Sequence, residues 1–219
     1  MSDRYFRFEN MAEEPYLLSF TGANLSLSKS LSLARAYDEY GSWEKVEDRL
    51  LSENILQMRT NSAAIRVHQE IVPRLQTLTD QQMNVLLGGS YLEQKHMLWL
   101  AVCKRYRYIR DFAIEVIREK YLRMNFLVTD LDYTSFFNRK ADWHEELEEI
   151  TESTQNKIRQ VLFRMLKEAE ILSEDNAILE TILTNKEKEA LKEDAPISYN
   201  IFPMILPEEN GADQHGQTD

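Results

Sequence analysis

The chain is poor in the residues that punctuate β structure. Six glycines and five prolines in 219 residues are too few for the turns of an all-β sandwich or barrel of that size. Its one cysteine, Cys103, excludes an internal disulfide or a Cys-based zinc site, and a lone thiol within an apolar run fits a reducing cytoplasm. The longest uninterrupted apolar run, Met97 to Cys103, has 7 residues, against roughly 20 for a membrane-spanning helix. No membrane contact is expected, and the polar, acidic stretch from Met1 to Pro15 has no apolar core that would make it a secretory signal. Positive charge is scarce too: 26 Lys+Arg face 37 Asp+Glu, a net charge of -11. That excludes a protein that coats nucleic acid by bulk charge and confines any such contact to a local patch. With 43% hydrophobic and 29% charged residues, the chain has enough apolar material for real cores, and helix should dominate.

The usual marks of chemistry are absent. None of the six glycines sits in a phosphate-binding loop or a dinucleotide fingerprint. The histidines His68, His96, His144 and His215 are scattered, and His96 with Cys103 is too thin a pair for a metal site. Cys103 reads as a core thiol rather than a nucleophile. The run from Glu145 to Glu149 reads as a solvated helix face favoured by the helix dipole rather than as paired acid and base. No enzyme, cofactor, metal or small-molecule substrate is expected.

What the chain does have is helical periodicity. Helices are expected from about Ser26 to Tyr40, closed by Gly41, from Trp43 to Leu51, capped by Ser42, and from Thr60 to Leu75, which Pro73 should end or kink. Ala64, Ile65, Ile71, Val72 and Leu75 should face inward on the third. Thr79-Asp80 opens a short helix that Gly88-Gly89 closes, and Ser90 with Glu93 forms a capping box for the next. Tyr91 to Met124 reads as two helices meeting near Tyr106 to Tyr108. Residues 125–129 read as extended, Asp130 to Asn138 and Trp143 to Ile150 as short helices, and Ser153 to Ala169 as a helix with Ile158, Val161, Leu162, Met165 and Leu166 buried. Ile171-Leu172 and Ala177 to Ile182 should pair as a small β-hairpin before a helix boxed by Thr184 and Glu187. Helices followed by a hairpin is a winged-helix layout. The expected fold is therefore mainly α and two-lobed, with helix-turn-helix or winged-helix-like elements: a flexible N-terminus (1–13), an N-terminal helical domain (14–128), a C-terminal winged-helix-like domain (129–195) and a largely disordered tail (196–219), within which Ile201-Phe202-Pro203 is placed to dock.

Charge is distributed unevenly: residues 1–90 sum to -3, 91–125 to +4 and 126–219 to -12. Within the acidic last part, Ser153 to Lys167 contains no acid, and Lys157, Arg159, Arg164 and Lys167 share it with Ser153, Thr154, Gln155, Asn156 and Gln160. Hydroxyls, amides and basic side chains opposite a buried stripe are what a recognition helix offers to phosphates and base edges. The plain alternative is a solvated amphipathic face. A second acid-free stretch, 54–69, carries Arg59, Thr60, Asn61, Ser62, Arg66 and His68, and with it the pattern favours nucleic acid. The cluster Lys104, Arg105, Arg107 and Arg110, with Tyr106 and Tyr108, reads as pairing with Asp111 and Glu115, or else as a further backbone contact.

Across these residues the chain resembles a known family. Tyr16-Leu17-Leu18, the Leu31 to Ala36 helix, Trp43, Arg59-Thr60 to Arg66, Arg74-Leu75, Glu93-Gln94, Cys103-Lys104-Arg105-Tyr106 with Asp111-Phe112, and Thr154 through Met165-Leu166 resemble BrxA of the BREX bacteriophage-exclusion systems, over about residues 14–195. The resemblance implies a bacterial cytoplasmic protein encoded beside a methyltransferase, an alkaline-phosphatase-like protein and a large ATPase. It also implies a non-catalytic role in defence and binding of double-stranded DNA, with a likeness to the RNA-binding protein NusB as the alternative. Other BREX proteins are the further partners it implies, and an adaptor whose acidic surface docks them is the third reading. The resemblance brings no catalytic residues.

Overall fold

Serine and threonine set the starts of most helices, because their hydroxyls accept the amides that a first turn leaves unpaired. The computed structural model describes residues 15–22 and 24–205. After a 3-10 turn, Ser19–Gly22, come α1 (Leu27–Tyr40), α2 (Trp43–Arg49), α3 (Asn61–Leu75), α4 (Asp80–Gly88) and α5 (Tyr91–Arg105). The rod α6 joins Arg107–Phe112, a π-helical stretch Ala113–Arg118, and Glu119–Leu122. Then follow α7 (Asp130–Ala141), α8 (Glu145–Glu148), α9 (Glu152–Glu168), α10 (Asn185–Leu191), a 3-10 turn Lys192–Asp194 and α11 (Ile197–Asn200). Ser42 and Thr60 cap α2 and α3. Capping boxes open α4 (Thr79 and Gln82), α5 (Ser90 and Glu93), α7 (Thr129 and Asp132) and α10 (Thr184 and Glu187).

The expected breaks fall close to where the sequence puts them. Gly41 closes α1 at φ 75, donating its N–H to the Tyr37 carbonyl at 2.8 Å. The chain leaves helical geometry at Tyr106 between α5 and α6, and α3 ends two residues beyond Pro73. The buried side chains form one cluster running from Tyr16 to Met204, with Trp99, Tyr106, Tyr108 and Phe112 among its largest members.

Several expectations need correction. Ile65 is exposed: the inward stripe of α3 is Ala64, His68, Ile71, Val72 and Leu75, which leaves Ile65 a quarter-turn away, and α2 ends at Arg49, short of the expected Leu51. No strand forms among the described residues. The expected hairpin is reduced to an isolated antiparallel bridge, Leu172 with Ile178, and a second bridge joins Leu127 to Ala177. The ladder goes no further because Thr181 turns its N–H to the Pro203 carbonyl at 3.0 Å. The expected docking of Ile201-Phe202-Pro203, by contrast, is seen: Ile201 and Phe202 are buried, and the Trp99 indole donates to the Ile201 carbonyl at 3.1 Å. The expectations for 1–13 and for 206–219 lie outside the described residues.

Candidate nucleic-acid interface

Helix α9 starts at Glu152, one residue before the expected Ser153, and Thr151 caps it, accepting the Thr154 N–H at 3.2 Å. The Thr154 hydroxyl lies 3.0 Å from that of Thr151, so this amide and hydroxyl are committed to the cap. Glu152 now occupies the first turn, where the helix dipole favours it. Ile158, Val161, Leu162, Met165 and Leu166 are buried as expected, and that burial fixes the opposite face. Ser153, Asn156, Lys157, Gln160 and Arg164 are all exposed, at spacings of three, four, seven and eleven residues that make one stripe along the helix. With 17 residues, α9 is about 25 Å long.

The four cations of α9 divide into two kinds. Lys157 and Arg164 project into solvent with no ion pair among the described residues. Arg159 is half-buried and holds Asp130 at 2.7 Å, while the Lys167 ammonium donates to the Glu174 carbonyl at 2.7 Å. Gln155 is half-buried, and its carbonyl accepts from the Tyr133 hydroxyl at 3.3 Å. Burial pushes that phenol up to about 12. This contact ties the start of α9 to α7.

The second expected surface lies on another helix and is not brought to α9 by any hydrogen bond, ion pair or ring contact among the described residues. Arg59, Asn61, Ser62 and Arg66 are exposed around the start of α3, and the Thr60 hydroxyl is used as the cap, 3.3 Å from the Ala63 N–H. His68 faces inward, and burial lowers its pKa. Residues 50–60 separate α2 from α3, wider than the three or four residues of a compact helix-turn-helix. What meets is the far end of each helix: Arg74 on α3 donates to the Asn24 carbonyl at 2.7 Å, and Glu168 on α9 accepts the Leu25 N–H at 2.8 Å.

Of the cluster around Tyr106, Lys104, Arg107 and Arg110 are engaged in ion pairs, while Arg105 is exposed. Arg107 and Arg110 approach Asp111 at 3.7 and 3.9 Å, as the pairing reading expects, while Lys104 reaches across to Asp194 at 2.8 Å. Tyr106 and Tyr108 are buried and hydrogen-bonded to Glu70 and Tyr133. Burial raises the Cys103 thiol well above its ordinary pKa, which leaves it a poor nucleophile. In the acidic run, Glu145, Glu148 and Glu149 face water, whereas Glu146 accepts the Tyr16 N–H and faces His144 at 3.0 Å. Among the described residues no group of three or more His, Cys, Asp and Glu side chains is arranged to hold a metal ion, and no helix is long and apolar enough to cross a membrane.

Sequence reasoning missed the ground beside α9. Lys95 and Tyr91 on α5 stand one turn apart, with the ammonium 4.4 Å from the ring centre. The i, i+4 spacing was there to read, but that α5 lies alongside α9 is a tertiary fact.

Comparison with known proteins agrees with this fold. The BrxA family model matches residues 14–195. The chain is 28% identical over 140 residues to the BREX protein BrxA of Bacillus cereus (strain H3081.97), a match covering 64% of this chain and 68% of that protein. It is 24% identical over 123 residues to the BREX protein BrxA of Escherichia coli O9:H4 (strain HS), covering 56% and 58%. In structure it resembles an uncharacterized protein from Magnetospirillum magneticum, with a TM-score of 0.76 over 87% of this chain and 100% of that one at 19% identity, which is a likeness of fold alone. With the family model spanning most of its length, the chain belongs to the BrxA family.

Proposed function

We propose that this protein is a non-catalytic, cytoplasmic component of a BREX phage-defence system that binds duplex DNA through the exposed face of α9. The observation that carries the reading is the stripe Ser153, Asn156, Lys157, Gln160 and Arg164: polar, free of acid, and held outward by a fully buried opposite face in a chain of net charge -11. Arg, Asn and Gln read base edges and Lys and Ser hold phosphates, so the stripe has the composition of a recognition helix. The order of elements supports it. The series α6, the bridged segment 126–128, α7, the short α8, α9, and the bridged segments 171–173 and 176–178 reads as a winged helix with an added short helix and with strands reduced to single bridges. The start of α3, with Arg59, Asn61, Ser62 and Arg66, is a second contact surface in this reading. The test is the charge reversal Lys157→Glu/Arg159→Glu/Arg164→Glu, which should abolish binding to labelled duplex DNA while leaving the helical circular-dichroism signal unchanged.

The adaptor reading draws on one observation, the exposure of Trp143, Leu131, Met124 and Ile182, which would mark a protein contact if they share one patch. If the triple reversal leaves defence intact in cells, that reading wins. Competition of a stem-loop RNA against the duplex separates the NusB-like alternative, because A-form RNA closes its major groove to a helix.

A further inference from the structure

Two open grooves meet beside the α9 face. The larger, about 610 Å³, runs between α9 and α5 and is lined by Gln160, Arg164 and Lys167 from one side and Lys95 from the other. The smaller, about 400 Å³, lies against the start of α1, with Ser26, Ser28 and Lys29 facing Tyr91 and Lys95. Lys95 and Glu168 line both, so the grooves adjoin.

We propose that the two grooves form one track for the sugar-phosphate backbone of bound duplex DNA, leading from Arg164 and Lys167 on α9 past Lys95 on α5 to Lys29 on α1. This rests on the α9 reading and extends it to Lys95 on α5 and Lys29 on α1, two residues at which nothing above places a nucleic-acid contact.

The track begins on the recognition stripe itself, because Gln160 and Arg164 belong to both. Its cations follow in order, and its other polar groups, the Ser26 and Ser28 hydroxyls and the exposed Tyr91 ring, are of types that contact backbone rather than bases. Both grooves lie open to solvent, which suits a polymer passing through better than a small molecule that must be enclosed. Three carboxylates lie nearby: Glu168 accepts the Leu25 N–H at 2.8 Å, Glu170 holds Lys95 at 2.7 Å, and Glu174, which lines the larger groove, turns its carboxylate out to solvent 4.0 Å from Lys167. The Glu170 side chain is about half exposed, at 47%, and so exposed a partner gives way readily to phosphate. Lys29 has no ion pair among the described residues, and Tyr91 beneath the Lys95 ammonium steers it along the groove.

The test is fluorescence anisotropy of the full chain with one labelled duplex of about 20 base pairs, read as the slope of log affinity against log salt, in which each phosphate neutralised contributes about 0.9. Lys29→Gln/Lys95→Gln should still bind, with the slope smaller than in Lys29→Gln alone and reduced by at most about 1.8, since Lys95 must first give up Glu170. Lys29→Gln alone, which breaks no ion pair, should lower it by about 0.9, and Lys186→Gln/Lys192→Gln, on the exposed surface of the C-terminal helices, should leave it unchanged. An unchanged slope in Lys29→Gln/Lys95→Gln, or an equal drop in the Lys186→Gln/Lys192→Gln control, overturns the track. If the α9 triple reversal abolishes binding in that same experiment, the α9 reading stands without it. Failure of the wild-type chain to bind at low salt overturns both.

Discussion

Lys157 and Arg164 differ from Arg159 and Lys167 in having no ion-pair partner among the described residues, and that difference sets how each should weigh in binding. Arg164→Ala is expected to lower the salt slope by about 0.9. Arg159→Ala should lower it less, because its guanidinium already holds Asp130 at 2.7 Å, and Asp130→Asn should raise affinity by releasing it. Anisotropy titrations of the three variants check this ranking. The acid-free stretch was legible from the sequence, since it needs only a count along the chain. The Asp130 and Glu174 partners were not, because each sits in another turn that only the folded chain brings to α9. A buried pair was equally hidden: His96 Nδ1 lies 2.5 Å from the Glu187 carboxylate, with both side chains almost fully buried. His96→Ala leaves that carboxylate buried without its partner and is expected to cost about 3 kcal/mol, measured by urea denaturation.

At the scale of elements, caps and breaks were the most legible features, because a hydroxyl or glycine at a helix end acts within a few residues of itself. Ser42, the Ser90 and Glu93 box, the Thr184 and Glu187 box and the Tyr106 break were all readable on those grounds. The start of α9 was legible to within one residue, and the Thr151 cap that sets it lies just before the acid-free stretch. The hairpin was over-read: local pattern pairs 171–172 with 177–178, but the carbonyl of distant Pro203 takes the next amide. Two glycines separate local from non-local cost. At Gly41, φ is 75 and the space beyond is empty, so Gly41→Ala should cost about 1 kcal/mol from backbone strain alone. A Cβ on Gly89 would lie 2.5 Å from the Val85 carbonyl oxygen, the acceptor of Gly89's own N–H. Gly89→Ala is therefore expected to lower the thermal midpoint more than Gly41→Ala does, and calorimetry of the two variants decides it.

For the whole molecule, the helical class was readable from composition, the uneven charge from a count along the chain and the docking of Ile201-Phe202-Pro203 from their apolar character, whereas the polar contacts that bring residues 185–204 back over α4 and α5 were not. Residues 185–204 return to α4 and α5 through Gln82 donating to the Ala190 carbonyl at 3.0 Å, the Lys104 and Asp194 pair at 2.8 Å, and the Trp99 indole. Such contacts span about a hundred residues and leave no periodic trace. They do set a pH dependence. Burial raises the Asp194 carboxyl, but the bonds from Lys104 and Gln82 outweigh it and hold the pKa below its ordinary value. Asp132, bonded by Lys120 and Thr129, and Glu146, bonded by Tyr16 and His144, are likewise held low against burial. A folded-state pKa below the unfolded one means stability present above about pH 4 and lost as pH falls through the folded values. The thermal midpoint should fall as pH drops below about 4, and less steeply in Asp194→Asn. The central claim, that this acidic protein engages duplex DNA through one local basic face, is tested most directly by titrating the purified chain into labelled duplex at several salt concentrations. The account expects a log–log slope of about three to six in magnitude that collapses in Lys157→Glu/Arg159→Glu/Arg164→Glu. No binding at low salt, or binding that survives the triple reversal, would contradict it.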